Sequence, residues 1–136
     1  MKTLNPYLTF AGNCRAAMNF YRDCLNGEIT QMQTFEEAKF EVDEKIKGHI
    51  IHAELRADSV YIMASDGMAE FASQPGNNVS LTLDLTDQEE EERIFNALAN
   101  GGKVTMPLQT TFWGARYGML TDRYGVNWML NCSKQP

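Results

Sequence analysis

Histidine, cysteine and basic charge are all scarce in this chain of 136 residues, and each scarcity closes off a class of function. Only two histidines exist, His49 and His52, and both lie on or beside one predicted strand. A site of two histidines and one carboxylate is therefore ruled out by supply. The three cysteines, Cys14, Cys24 and Cys132, form no C-x-x-C pair. Cys14 and Cys24 fall on one predicted helix about 15 Å apart, too far to bridge. They read as reduced thiols in a cytoplasm, each a small buried hydrophobe. Lys and Arg number 12 against 18 Asp and Glu, a net charge of -6, which argues against a nucleic-acid surface. The acidic run Gln88 to Glu92 reads as a solvated helix face. No apolar stretch approaches the roughly 20 residues that span a bilayer. Met1 to Pro6 lacks the apolar core of a signal peptide. A cytoplasmic protein with neither membrane nor nucleic-acid partner is expected.

What is present is a regular order of elements. Leu4 to Phe10 alternates as a strand. Asn13 stands where it can cap a helix carrying Ala17, Phe20, Tyr21 and Cys24, which Asn26-Gly27 stops. Glu28 to Phe35 predicts a second strand, and the charged stretch 36–47 a loop or partly ordered lid. Ile50 to Arg56 and Ser59 to Ser65 predict a hairpin turning near Ala57-Asp58. After Ser73 to Asn77, the one linker-like stretch, the order returns. A strand carries Val79, Leu81, Leu83 and Leu85. Thr86 and Glu89 form a T-x-x-E capping box for a helix through Ile94, Phe95 and Leu98, ending at Gly101-Gly102. Strands follow over Lys103 to Phe112, Ala115 to Thr121 and Val126 to Cys132, with Gly125 in the last turn. The chain is thus an α+β protein of two βαβββ modules, about 1–72 and about 77–136, in one domain.

Alternation along the strands assigns their faces. Leu4, Leu8 and Phe10, then Ile51, Ala53 and Leu55, go to the core. The opposite face receives Asn5, Tyr7, Thr9, His52, Glu54, Tyr61, Met63, Ser65, Asn78, Ser80, Thr82, Asn127, Met129 and Asn131. Such a mixture of amides, hydroxyls, aromatics and thioethers suits an organic ligand. The alternative is an open sheet face turned to water. His52 and Glu54 share a face, so the carboxylate is placed to set the imidazole tautomer and make a general base. A structural, hydrogen-bonded histidine is the alternative. Arg116, beside Trp113-Gly114, offers a forked donor for a carboxylate or phosphate, or else forms a salt bridge. Tyr7 and Tyr61 are candidates to stack on a ligand. Trp113 is a candidate wall residue, whereas Trp128 alternates onto the core side. Met63 and Met129 would be adaptable walls. Met18, Met32 and Met119 read as core filler.

Several motifs in order resemble the vicinal-oxygen-chelate (glyoxalase/bleomycin-resistance/dioxygenase) superfamily, and more closely its PhnB-like branch. They are Leu4 to Phe10 with Asn13 to Ala17 and Phe20-Tyr21, then His52 to Leu55 and Ile62 to Asp66. Phe112 to Gly114, Arg116 to Gly118 and Asp122 to Trp128 complete the set. The resemblance implies a curved mixed sheet around a small-molecule cavity, and pairing as a homodimer. Metal enzymes of the superfamily carry His or Glu at positions that fall here on Asn5, Met63, Asn78 and Met129. An amide is a poor zinc or iron ligand and a thioether suits soft ions, so no metal and no other cofactor is expected. PhnB-like proteins often carry a methyltransferase label. No glycine-rich strand-to-helix turn supports it here, and the element order is not that of a Rossmann fold. The leading expectation is a metal-independent small-molecule-binding protein, with Asn5, Tyr7, Tyr61, Met63, Asn78, Trp113, Arg116 and Met129 as ligand contacts. The alternative is an enzyme using His52 and Glu54 for proton transfer on a small anionic substrate. A subunit whose sheet edges serve only for assembly is the third.

Overall fold

A computed structural model describes residues 1–68 and 73–133. The expected end of the first module, at 72, and the last three positions of the second lie outside the described residues. The chain forms two compact units, Met1–Gln74 and Pro75–Pro136. No helix among the described residues is long and apolar enough to cross a membrane.

The first unit runs β1 (Tyr7–Phe10), α1 (Cys14–Leu25), β2 (Glu28–Thr34), β3 (Ile50–Ala57) and β4 (Val60–Asp66). Its four strands lie in the order β1-β4-β3-β2, with β1 parallel to β4 and the other pairs antiparallel. The α1 helix packs across β2, β3 and β4. It buries Cys14, Ala17, Met18, Tyr21, Cys24 and Leu25, positions that recur every three or four residues. Beneath them lie Phe10, Ala53, Leu55, Ile62 and Ala64. Full burial of a side chain such as Met18 or Leu55 contributes about 1.5–3 kcal/mol. Asn26 stops the helix in a left-handed conformation at φ 52°, and the next amide, of Gly27, donates to the Arg22 carbonyl.

Some expectations need correction. Leu4 is 98% exposed, not core. Pairing of β1 with β4 begins at Tyr7 opposite Met63, so residues upstream of Pro6 have no strand to lie against. Ile50, not Ile51, is the fully buried residue at the start of β3. A bulge between Gln33 and Thr34 shifts the register there, and a bulge re-aims the side chains beside it. The segment 36–47 is ordered by backbone hydrogen bonds from Glu36 to Lys47 and from Phe40 to Phe35, and holds one 3₁₀ turn, Glu44–Ile46.

The second unit repeats the plan: β5 (Leu81–Leu85), α2 (Gln88–Ala99), β6 (Lys103–Thr110), β7 (Arg116–Thr121) and β8 (Asn127–Cys132). Its strand order, β5-β8-β7-β6, is that of the first sheet. Ile94, Phe95 and Leu98 of α2 cover Leu120, Trp128 and Leu130. Gly118 admits the helix, since a Cβ there would stand 2.9 Å from the Phe95 ring. Gly125 turns the β7–β8 hairpin at φ 86°. The strand predicted from Val79 starts at Leu81 instead, because the Val79 carbonyl is taken by the Asn127 side chain at 3.1 Å. The capping residue of α2 is Asp87, whose carboxylate accepts from the Glu89 amide at 3.1 Å. The acidic run is not wholly solvated, for Glu91 is completely buried.

Candidate functional site

The first sheet has one face under α1 and one face away from it. Along β3 the second face carries His52, Glu54 and Arg56, which alternate with buried Ala53, Leu55 and Ala57. Cross-strand register adds the rest. Met63 stands opposite both Glu54 and Tyr7, Tyr61 opposite Arg56, and Thr9 opposite Ser65.

Three of the predicted residues form a chain of hydrogen bonds on this face. The Tyr7 hydroxyl lies 3.2 Å from His52 Nδ1, and His52 Nε2 lies 2.9 Å from Glu54 Oε2. Tyr61 joins by donating to the same carboxylate. The His52 bond first, then that of Tyr61, holds the Glu54 carboxyl below its ordinary range. The carboxylate in turn raises the Tyr61 phenol. An ionised Glu54 only accepts, so Nε2–H of His52 is the donor. In the neutral ring Nδ1 then accepts from Tyr7, which leaves the Tyr7 oxygen polarised and half exposed. Side-chain exposures of 27% for His52 and 23% for Glu54 leave both within reach of a ligand. The arrangement can accept, relay and return a proton, or anchor a polar ligand without reaction.

The face of the second sheet away from α2 carries Met129, which accepts a hydrogen bond from the Thr82 hydroxyl at 3.7 Å. Tyr117 and Met119 stand opposite Asn131 and Met129, so Met119 belongs to this face rather than to the core under α2. Asn131 is tied to Asp84 at 3.3 Å and Asn127 to the carbonyls of Gly76 and Val79. Asn5 and Asn78 lie ahead of β1 and β5, outside the strands, with Asn5 bonded to the Thr3 hydroxyl at 3.4 Å. Trp113 is 62% exposed on the β6–β7 turn, edge to face with Phe112 at 4.7 Å. Arg116 departs from the expected grouping. It shares the helix-covered side of β7 with Leu120, opposite buried Cys132, and its Nη2 lies 3.8 Å from Glu92. That geometry supports the salt-bridge alternative. Cys14 is no nucleophile at neutral pH, since burial and then Asp66 push its thiol up to about 12.

A family model described as "3-demethylubiquinone-9 3-methyltransferase" matches residues 2–131. The chain belongs to this family. Protein YjdN of Escherichia coli is 37% identical over 97% of this chain and 96% of its own. Protein PA1353 from Pseudomonas aeruginosa superposes with a TM-score of 0.90 at 41% identity, covering 99% and 100% of the two chains. A PhnB protein from Bacillus cereus follows at 0.78 and 28%, covering 97% and 100%. At the level of fold alone, a glyoxalase/bleomycin resistance protein/dioxygenase family enzyme from Burkholderia phytofirmans aligns with a TM-score of 0.65 at 16% identity. Its alignment covers 94% of this chain and 97% of that one. The fold is thus the glyoxalase/bleomycin-resistance type, and within it the chain is PhnB-like.

The resemblance noted in the sequence places metal ligands at four positions, where this chain has its own donors. Asn5 and Asn78 offer amides, Met63 and Met129 thioethers, and none of these fits zinc, iron or manganese. Among the described residues no three of His, Cys, Asp or Glu gather as a group able to hold a metal. Arg56, Asp66 and Asp122 were not expected from the sequence. Arg56 was legible, because the alternation that pairs His52 with Glu54 reaches it two residues on. The polar anchors Asp66 and Asp122 were not. Each carboxylate collects amide or indole donors from segments that only the fold brings to it.

Proposed function

We propose that this PhnB-like protein binds a small organic ligand, without a metal, on the face of the first sheet away from α1. The observation that carries the reading is the Tyr7–His52–Glu54–Tyr61 chain, a partly exposed polar network aligned beside the apolar side chain of Met63. A purely structural network has no need of exposed groups, whereas a ligand site needs a few fixed polar atoms beside apolar contact area. Met129, with Met119 and Tyr117, offers a second contact surface of like composition. Asn5 belongs to the proposal as a loop contact in the first unit, and Asn78 and Trp113 as loop contacts of the second unit's own surface. The free, buried cysteines support a reducing, cytoplasmic setting. Methyl transfer is not part of the reading, because the described strands of neither unit form the parallel α/β sheet with crossover helices on which a Rossmann-type methyltransferase is built.

A second reading, proton transfer on the bound ligand, is favoured by the order Tyr7–His52–Glu54. A substrate proton taken by the Tyr7 oxygen would release the phenolic proton to His52 Nδ1, giving an imidazolium stabilised by Glu54.

The test is mass spectrometry of small molecules retained by the untagged protein, compared with Tyr7→Phe and His52→Gln. Each variant should retain the compound about tenfold less tightly, the worth of one hydrogen bond of about 1.4 kcal/mol, while its unfolding midpoint moves little. Unchanged retention with a large loss of stability would return His52 to a scaffold role. Conversion of the retained compound by the wild type, lost in His52→Gln, would decide for the enzyme reading.

A further inference from the structure

On this same face of β3 stands a cation that the hydrogen-bond chain does not use. We propose that Arg56 is the anion-recognising residue of the site, and that the ligand is a small organic acid whose carboxylate or phosphonate group docks on it. The inference rests on the reading of this face as a ligand site.

The geometry is specific. Arg56 follows Glu54 at the next position on the exposed side of β3, opposite Tyr61 of β4. Its Cζ lies 4.0 Å from the centroid of the Tyr61 ring, a stacked cation–π contact. Contact with the ring holds the guanidinium in place without using its N–H donors, and a forked donor suits a two-oxygen acceptor. The nearby acidic groups leave that edge available. Glu54 is already engaged by His52 and Tyr61, and Glu28, opposite Arg56 on β2, makes no ion pair with it. Among the described residues Arg56 donates no side-chain hydrogen bond and forms no salt bridge. An exposed arginine with free donors beside an aromatic wall recognises an oxyanion attached to an apolar body. Tyr7 and His52 lie farther along the face, on the other side of Glu54, for that body's polar end. Arg116, the arginine expected from the sequence to do this, has its own acidic partner in Glu92.

The experiment uses benzoate, phenylphosphonate and neutral benzamide as probes, titrated into the full-length protein while NMR follows the Arg Nε–H, His ring and Tyr signals. Both anions should shift the Arg56 Nε–H resonance and bind at least about tenfold more tightly than benzamide. Arg56→Gln should abolish that preference while leaving benzamide binding and the His52 signals in place, and Arg56→Lys should restore only part of it, lacking the fork. Anions that bind no better than benzamide, or equally well to Arg56→Gln, would overturn the proposal while leaving the ligand site intact. If no probe moved the Tyr7, His52 or Tyr61 signals, the reading of the face as a site would fall, and the proposal with it.

Discussion

Glu91 is fully buried on the inner side of α2, and neither of its carboxylate oxygens has a hydrogen-bond partner among the described residues. The register that lays Val60 and Ile62 over Val126 and Trp128 lays Asp66 over Cys132. The first unit carries its buried acid, Asp66, on a strand, while the second carries Glu91 on a helix and Asp122 at the β7–β8 turn. The consequences differ. Asp66 accepts three backbone amides, whereas burial raises the Glu91 carboxyl and Arg116 only partly opposes it. A carboxyl with a raised folded pKa stabilises the fold below its unfolded value, near 4.3, and that stability is lost as pH rises through the folded pKa. Glu91→Gln should therefore be more stable than the wild type at neutral pH, by about 1–2 kcal/mol. The gap should close toward pH 4. Thermal unfolding followed across that range checks it, and a gap independent of pH would show that ionisation is not the cause. Glu54 runs the other way. Its lowered carboxyl keeps the Tyr7–His52–Glu54 chain together above the ordinary carboxylate range and releases it in acid, so ligand retention should fall as pH drops.

At the scale of elements, α1 is positioned by a strand rather than by its own cap. Asn13 stands at the capping position but makes no side-chain cap bond. Asp66, at the end of β4, accepts from the amides of Gly12 at 2.8 Å, Cys14 at 3.0 Å and Ile50 at 2.8 Å. One carboxylate thereby joins the start of the helix to the start of β3, two residues before His52. Asp66→Ala should cost about 3 kcal/mol or more, since it strands buried donors, while Asn13→Ala should stay within about 0.5 kcal/mol. Chemical denaturation of the two variants distinguishes them. Equal losses would restore the cap to Asn13. The same logic holds in the second unit, where Asp122 takes the amides of Tyr124 and Val126 and the Trp128 indole, fixing the β7–β8 turn.

For the molecule as a whole, each sheet ends in two edge strands, β1 and β2 in one and β5 and β6 in the other. Unpaired edges invite pairing, and the exposed Phe112 and Trp113 add apolar surface beside one of them. A homodimer near twice 15.4 kDa is expected by light scattering at about ten micromolar. A mass that stayed at one chain would remove the edges from consideration as an interface. Elemental analysis of the untagged protein should find no stoichiometric zinc, nickel, iron or manganese. One metal per chain, lost in Asn5→Ala or Asn78→Ala, would reverse the conclusion drawn from the donor set.

Most of the fold was written locally. Helix periodicity, strand alternation, the Asn26 stop and the Gly125 turn depend on neighbours a few residues away, so they were legible, as was the repeat of βαβββ. The same alternation put His52 and Glu54 on one face of the first sheet and Trp128 on the helix-covered face of the second. What the sequence could not show were facts of pairing between distant segments. Leu4 and Val79 look like strand residues until the register shows that no strand pairs with them. Tyr7 meets His52 only because β1 lies parallel to β4, and β4 pairs with β3. Arg116 and Arg56 are both strand arginines whose partners the chain order does not name. They part company because one falls on the helix-covered side of its sheet beside Glu92, while the other stacks in the open on Tyr61. A side chain's charge and shape are set by the sequence, but its partner, and so its chemistry, is set by which strand the fold lays beside it.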